Sequence, residues 1–117
     1  MNVLILGSSG YIGAALVLYL RAKGYAVTEF DIANGKDIRS LRQLGAALPK
    51  HDAVINLASI SSDKACQLFE PLARLVNLEA FGHTVVAAKC ADVKRFIYLS
   101  SAAVYGTTNE PAREDFP

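Results

Sequence analysis

A chain of 117 residues, 52% of them hydrophobic, is long enough for one domain with a real core and short for a whole enzyme. Its net charge of +1 is spread along the sequence, which excludes a basic nucleic-acid stripe or a polybasic membrane patch. The mean hydropathy of +0.26 is high for a soluble domain of this size, so nearly every apolar side chain is buried or some surface expects a partner.

The chain then alternates between two periods. Residues 2–6 are a short apolar run ending at Gly7, the pattern of a buried strand. Residues 11–23 carry Ile12, Ala15, Leu16, Tyr19 and Leu20 at helical spacing and close on Arg21, Lys23 and Gly24. A second strand, Ala26 to Phe30, leads to Asp31. After Asn34-Gly35 comes a brief extended stretch, Lys36 to Ile38, and then a short helix over Ser40–Leu48, closed by Pro49. Residues 53–57 read as another strand, 64–91 as a long helix bent near Pro71, and Arg95–Leu99 as the last strand. Counting the brief stretch, this makes about five strands. Apolar strands separated by helices predict an α/β fold, a parallel sheet with helices on both faces. From Gly106 onward the composition is that of a loop, so 107–117 is a C-terminal loop on a single domain, 1–117.

Other classes find little support. Cys66, Cys90, His51 and His83 are too few and too scattered for a zinc site, and the two cysteines read as buried reduced thiols. Val3 to Leu6 is too short for the apolar region of a secretory leader, and the longest apolar run, Ala14 to Leu20, falls far below a membrane span. A cytoplasmic protein is the expectation.

The first turn carries the sharpest signal. Strand one runs into Gly7-Ser8-Ser9-Gly10-Tyr11-Ile12-Gly13, which opens the first helix. Gly7 suits a tight turn, Gly10 lets a backbone approach a pyrophosphate that a Cβ would block, and Gly13 lets the helix pack close to the strand. The helix N-terminus favours an anion, so the candidate cradle is Gly7, Ser9, Gly10, Tyr11, Ile12 and Gly13. No Gly-Lys-Ser/Thr follows, so this is not a Walker loop. Asp31, ending strand two, is placed to accept hydrogen bonds from an adenosine ribose. Its charge repels a 2′-phosphate, which favours NAD over NADP.

Several separate stretches now resemble one family nearly end to end: GSSGYIG, Asp31, Asp37-Ile38-Arg39, VINLAS at 54–59, Asn77 and SSAAVYG at 100–106. The chain is similar to the N-terminal part of the extended short-chain dehydrogenase/reductase family, the NAD-dependent epimerases and dehydratases of nucleotide sugars. The resemblance implies an incomplete Rossmann-type, doubly wound parallel sheet that binds NAD. It implies that Asp37 and Ile38 flank the adenine, and that Leu57, Ala58 and Ser59 pass beside the cofactor. It also places Leu99 near the nicotinamide, Asn77 on the cofactor side of the long helix, and Ser101 where the family has its catalytic Ser or Thr. A nucleotide sugar as substrate and a homodimer paired through long helices are implied as partners, with neither nucleic acid nor membrane.

The same family uses a Tyr-x-x-x-Lys pair as its acid–base machinery. The one tyrosine–lysine pair at that spacing here, Tyr19 and Lys23, falls on the first helix, away from the strand ends. Where the family usually has Gly-Thr after its asparagine, this chain has Ala80-Phe81. Residues 114–117, Glu-Asp-Phe-Pro, resemble the approach to the pair, so the expectation is a chain that stops short of it and is inactive alone. Two readings stand: the NAD-binding portion of a nucleotide-sugar epimerase or dehydratase, or a non-catalytic dinucleotide-binding sensor or scaffold.

Overall fold

The computed structural model describes residues 1–115; Phe116 and Pro117, the end of the stretch compared above with the approach to the Tyr–Lys pair, lie outside the described residues. Four strands are present: β1 (Asn2–Leu6), β2 (Ala26–Phe30), β3 (Ala53–Asn56) and β4 (Arg95–Tyr98). They form one all-parallel sheet in the order β2-β1-β3-β4. β1 and β3 sit in the middle and are buried on both faces, which is why they read as unbroken apolar runs. The two outer strands are largely exposed.

Helices cover both faces. On one, α1 (Tyr11–Ala22) lays Val17 onto Val3, Ile5, Ala53 and Ile55. On the other, α2 (Leu41–Ala47) and α5 (Ala80–Cys90) close over Leu4, Leu6, Phe30 and Val54. Leu4, Leu6, Leu44, Leu48 and Val54 are fully buried, each worth about 1.5–3 kcal/mol relative to exposure. α5 meets the sheet through a stripe of small residues, Ala80, Thr84 and Ala88, and the Thr84 hydroxyl donates to Ala80 O at 2.6 Å.

Four expectations are corrected. The stretch Lys36 to Ile38 is not a strand, so the sheet has four rather than five. The chain leaves β2 through a single 3₁₀ turn (Ile32–Asn34) and runs through residues 35–39 without strand pairing to α2, with Ser40 as its N-cap accepting from Gln43 N–H. No strand pairs with the outer edge of β2 among the described residues. The long helix is broken, not merely bent: α3 (Asp63–Leu68) ends at Phe69, and α4 (Glu70–Arg74) starts anew with Pro71 in its first turn. Proline lacks the N–H that a continuous helix needs there, and its ring collides with the carbonyl one turn back. A π-helical stretch, Leu75–Glu79, then joins α4 to α5. Finally, Cys66 is half-buried but Cys90 is exposed, on the outer side of α5; both are free thiols. β3 and β4 each end one residue earlier than their apolar runs suggest, although Leu57 N–H still donates to Leu6 O at 2.8 Å.

Candidate functional site

The carboxyl ends of all four parallel strands point to one side of the molecule, and the glycine turn lies in their midst. Gly7 N–H donates to Phe30 O at 2.8 Å, tying the end of β1 to the end of β2. Gly7 has φ +83°, and a Cβ there would sit 2.7 Å from Ala58 N and 2.8 Å from Leu57 C. The residue lets β1 turn hard against the end of β3. A Cβ on Gly13 would overlap Gly7 O and come within 2.9 Å of the Ser8 backbone, so Gly13 lets α1 rest on the turn itself.

Gly10 is different. A Cβ there would meet only Gly7 O, at an ordinary 3.5 Å, and the residue is exposed. Nothing in the protein demands its missing side chain. It is also the N-cap of α1 and brings no side chain to bond the first helical N–H groups. An open backbone cradle at a helix N-terminus, with room where a Cβ would stand, fits a pyrophosphate.

Asp31 organises the neighbouring wall. Its Oδ2 accepts Ser9 N–H at 3.0 Å and its Oδ1 accepts Ala33 N–H at 2.9 Å, so one carboxylate joins the glycine turn to the loop after β2. Beyond it, Asp37 accepts from Arg39 through both oxygens: Nε at 3.0 Å, Nη2 at 2.6 Å and the backbone N–H at 2.9 Å. These bonds hold the Asp37 carboxyl below its ordinary value, against a smaller opposing effect of burial. Asp31, Asp37 and buried Ile38 line a cavity of about 310 Å³ together with Gly7, Gly10 and the stretch Leu57–Ile60.

A second cavity of about 630 Å³ lies on the other side of the same turn. Tyr11, Ile12, Asn77, Leu99, Ser101 and Val104 line it, and it shares Gly7, Gly10 and Leu57–Ile60 with the first. Of the candidate cofactor and catalytic residues named from the sequence, all but Ser9 therefore line one cavity or the other, and Ser9 is bonded to Asp31. Asn77 sits in the π-helical stretch, where both ends of its amide are engaged by one residue. Its Oδ1 accepts Ile60 N–H at 2.8 Å and its Nδ2 donates to Ile60 O at 2.9 Å. The Ser101 side chain is exposed, and its Oγ accepts Ala103 N–H at 3.2 Å, starting the 3₁₀ turn Ala102–Tyr105. Tyr19 lies on α1 and Lys23 is its C-cap, with the ammonium 5.5 Å from the ring centre, a surface cation–π contact far along the helix from its N-terminus.

Sequence reasoning missed four participants. Ser8 is fully buried in the turn, and its hydroxyl has no hydrogen-bond partner among the described residues. Ile60 lines both cavities, Arg39 clamps Asp37, and Gln43 holds the loop from behind. Of these only Arg39 had a visible signal, a cation two residues after an acid.

A parallel sheet whose first strand feeds a glycine turn and a helix, with an acid ending the second strand, is the architecture of dinucleotide-binding α/β domains. The chain belongs to the NAD dependent epimerase/dehydratase family, whose profile it matches over residues 3–117. It is 30% identical over 121 residues to the UDP-glucose 4-epimerase of Rhizobium meliloti (strain 1021), a match spanning 90% of this chain and 37% of that protein. It is 31% identical over 122 residues to the Homo sapiens sterol-4-alpha-carboxylate 3-dehydrogenase, decarboxylating, covering 97% of this chain and 33% of that one. Among solved structures, the Thermus thermophilus UDP-glucose 4-epimerase complex with NAD superposes with a TM-score of 0.89 at 26% identity, covering 100% of this chain and 44% of that one. The chain thus spans about a third to two fifths of the length of these two curated relatives. No helix among the described residues is long and apolar enough to cross a membrane.

Proposed function

We propose that residues 1–117 are the NAD-binding domain of an enzyme that transiently oxidises a hydroxyl of a nucleotide sugar, as an epimerase or dehydratase does. The observation that carries this reading is the cradle at Gly10, open on the outside and unexplained by packing, next to the carboxylate of Asp31. When bound, NAD supplies a hydride acceptor. The N–H groups opening α1 would hold the pyrophosphate, Asp31 the adenosine ribose, and Asp37 with Ile38 the adenine. Leu57, Ala58, Ser59 and Leu99 would border the dinucleotide across the turn, while Asn77 holds the Ile60 backbone in place beside it.

Ser101 would orient the sugar oxygen. A serine hydroxyl alone does not remove a proton at neutral pH, and the Tyr19–Lys23 pair is on α1, so the described residues bring no such pair to the site. Pairing of two chains through the helical region 63–90 accords with Leu68 and Val86, which are 67% and 62% exposed there. The second reading, a sensor or scaffold that binds the dinucleotide without turnover, is favoured by the local use of Ser101, whose hydroxyl already caps a turn.

Titration calorimetry of the chain with NAD tests the shared part of both readings. Binding is expected for the wild type and lost in Gly10→Val, with cooperative unfolding retained in both. Retained affinity in that variant would show that the turn is not a phosphate site. Adding UDP-glucose to the NAD complex should produce no reduced nicotinamide. Turnover by this chain would reveal a base elsewhere and overturn the assignment of Ser101 as a lone orienting group.

A further inference from the structure

We infer that Gln43 is a positioning residue for the dinucleotide: its side-chain amide takes the place of the strand missing beyond β2 and fixes the wall that receives the adenosine end. The inference rests on the proposed NAD-binding role of the cavity beside Asp31.

The loop from Asp31 to Asp37 leaves the sheet at β2, beyond which no strand pairs among the described residues. At its start it is held by Asp31 itself, whose carboxylate takes Ala33 N–H and whose carbonyl takes the N–H groups of Asn34 and Lys36. At its far end those means run out. There the Gln43 Oε1 accepts Asp37 N–H at 2.7 Å and the Gln43 Nε2 donates to Gly35 O at 3.1 Å. The two backbone groups flank Lys36, and they are the donor and acceptor that a neighbouring strand satisfies in a parallel ladder. A single amide side chain, projected from the first turn of α2, satisfies both.

Gln43 itself does not line the cavity of Asp31, Asp37 and Ile38; it lines the groove behind it, between α2 and β2. It therefore acts on a ligand only through the loop. Ser40 Oγ accepts Gln43 N–H at 3.3 Å, so the cap that starts α2 also fixes where the amide departs. Without the clasp, Asp37 and Ile38 would occupy the binding geometry only part of the time, and apparent affinity falls by the fraction that remains competent.

The test compares wild type with Gln43→Met, which keeps the length and removes both bonds, and Gln43→Glu, which keeps the acceptor for Asp37 N–H. Hydrogen exchange at the Asp37 amide is read on the ligand-free chain, and affinities for NAD and for ADP-ribose are read by calorimetry. Expected for Gln43→Met is exchange at Asp37 faster by about tenfold or more, with NAD and ADP-ribose weakened by a common factor of about tenfold. Gln43→Glu should keep Asp37 protected and lose less affinity than Gln43→Met. Unchanged exchange at Asp37 in Gln43→Met overturns the clasp. A lowered urea midpoint with unchanged affinities overturns the positioning role and leaves a purely structural one. If wild type binds neither ligand, it is the dinucleotide assignment that fails, and with it the positioning role, whereas the exchange measurement still decides the clasp.

Discussion

The two ends of the sheet differ in how finished they are. At the β2 end, Phe30 and Ile38 are 2% and 7% exposed, and Ser9, Asp31, Gly35 and Asp37 are all tied by side-chain hydrogen bonds. At the β4 end, Ile97, Tyr98 and Leu99 are 44–45% exposed, and among the described residues Ser101 bonds only to the turn it starts. Tyr98 leans on Phe81, with ring centres 4.5 Å apart, while the outer edge of β4 has no neighbouring strand among the described residues. On the proposed reading, recognition of an adenosine diphosphate group would draw on nearby stretches of chain, residues 7–13, 31–43 and 57–60. On the same reading, the chemistry at the sugar and nicotinamide would need side chains that the β4 end does not bring together among the described residues. An exposed parallel edge also invites strand addition, so association at β4 is the corresponding liability.

The largest expected effect breaks the turn on which both ends depend. Gly13→Ala adds one methyl group that meets only backbone, Gly7 O and Ser8, neither of which can retreat without moving β1. A loss of about 3 kcal/mol or more in urea unfolding is expected. Gly10→Ala, three residues away, meets nothing closer than 3.5 Å and should stay within about 0.5 kcal/mol of wild type. Equal losses in the two variants would refute the division between a packing glycine and a ligand glycine.

Much of this is legible in the sequence alone. The period switch from apolar run to helical spacing locates β1, α1, β2 and β3 within a residue or so, and β1 and β3 are the plainest because strands buried on both faces have no polar face to blur them. The glycine turn and Asp31 are legible because each position needs a particular residue for a geometric reason. Lys36 to Ile38 misleads, since extended residues off the sheet look like a strand until one asks what would pair with them. The break at Phe69 is harder to see, because a proline in the first turn of a new helix and one bending an old helix leave the same letters. Gln43 and Ser8 are invisible: an amide that replaces a strand, and a hydroxyl buried in a slot that a smaller side chain could fill, have no periodicity.

A middle-sized effect sharpens the recognition end. Asp31→Asn keeps one acceptor oxygen and removes the charge, so one of the bonds to Ser9 and Ala33 is lost along with the repulsion of a 2′-phosphate. NAD should weaken several-fold while NADP gains or holds, closing their ratio by about tenfold. Calorimetry with both dinucleotides reads it. An unchanged ratio would mean that Asp31 only braces the turn and that cofactor choice lies elsewhere on the wall, where Lys36 and Arg39 are the available cations.

The smallest effect separates two ways of holding that wall, the neutral clasp of Gln43 and the ion pair of Arg39 with Asp37. The Asp37 carboxyl is held below its ordinary 3.8 in the folded chain. The pair's contribution is therefore fully present above that ordinary value and lost as pH falls through the lowered one. The side chains of Arg39 and Asp37 are 42% and 26% exposed, so the contribution is small and screened by salt. Arg39→Ala should accordingly lower the urea midpoint slightly at pH 7, and the difference from wild type should shrink as pH falls through the lowered value and in about 1 M salt, where screening acts within about 3 Å. The bonds of Gln43 to Gly35 and Asp37 carry no net charge and should show neither dependence. A pH- and salt-independent deficit in Arg39→Ala would mean that the side chain acts by packing and not by charge, and the wall would then owe its order to contact alone.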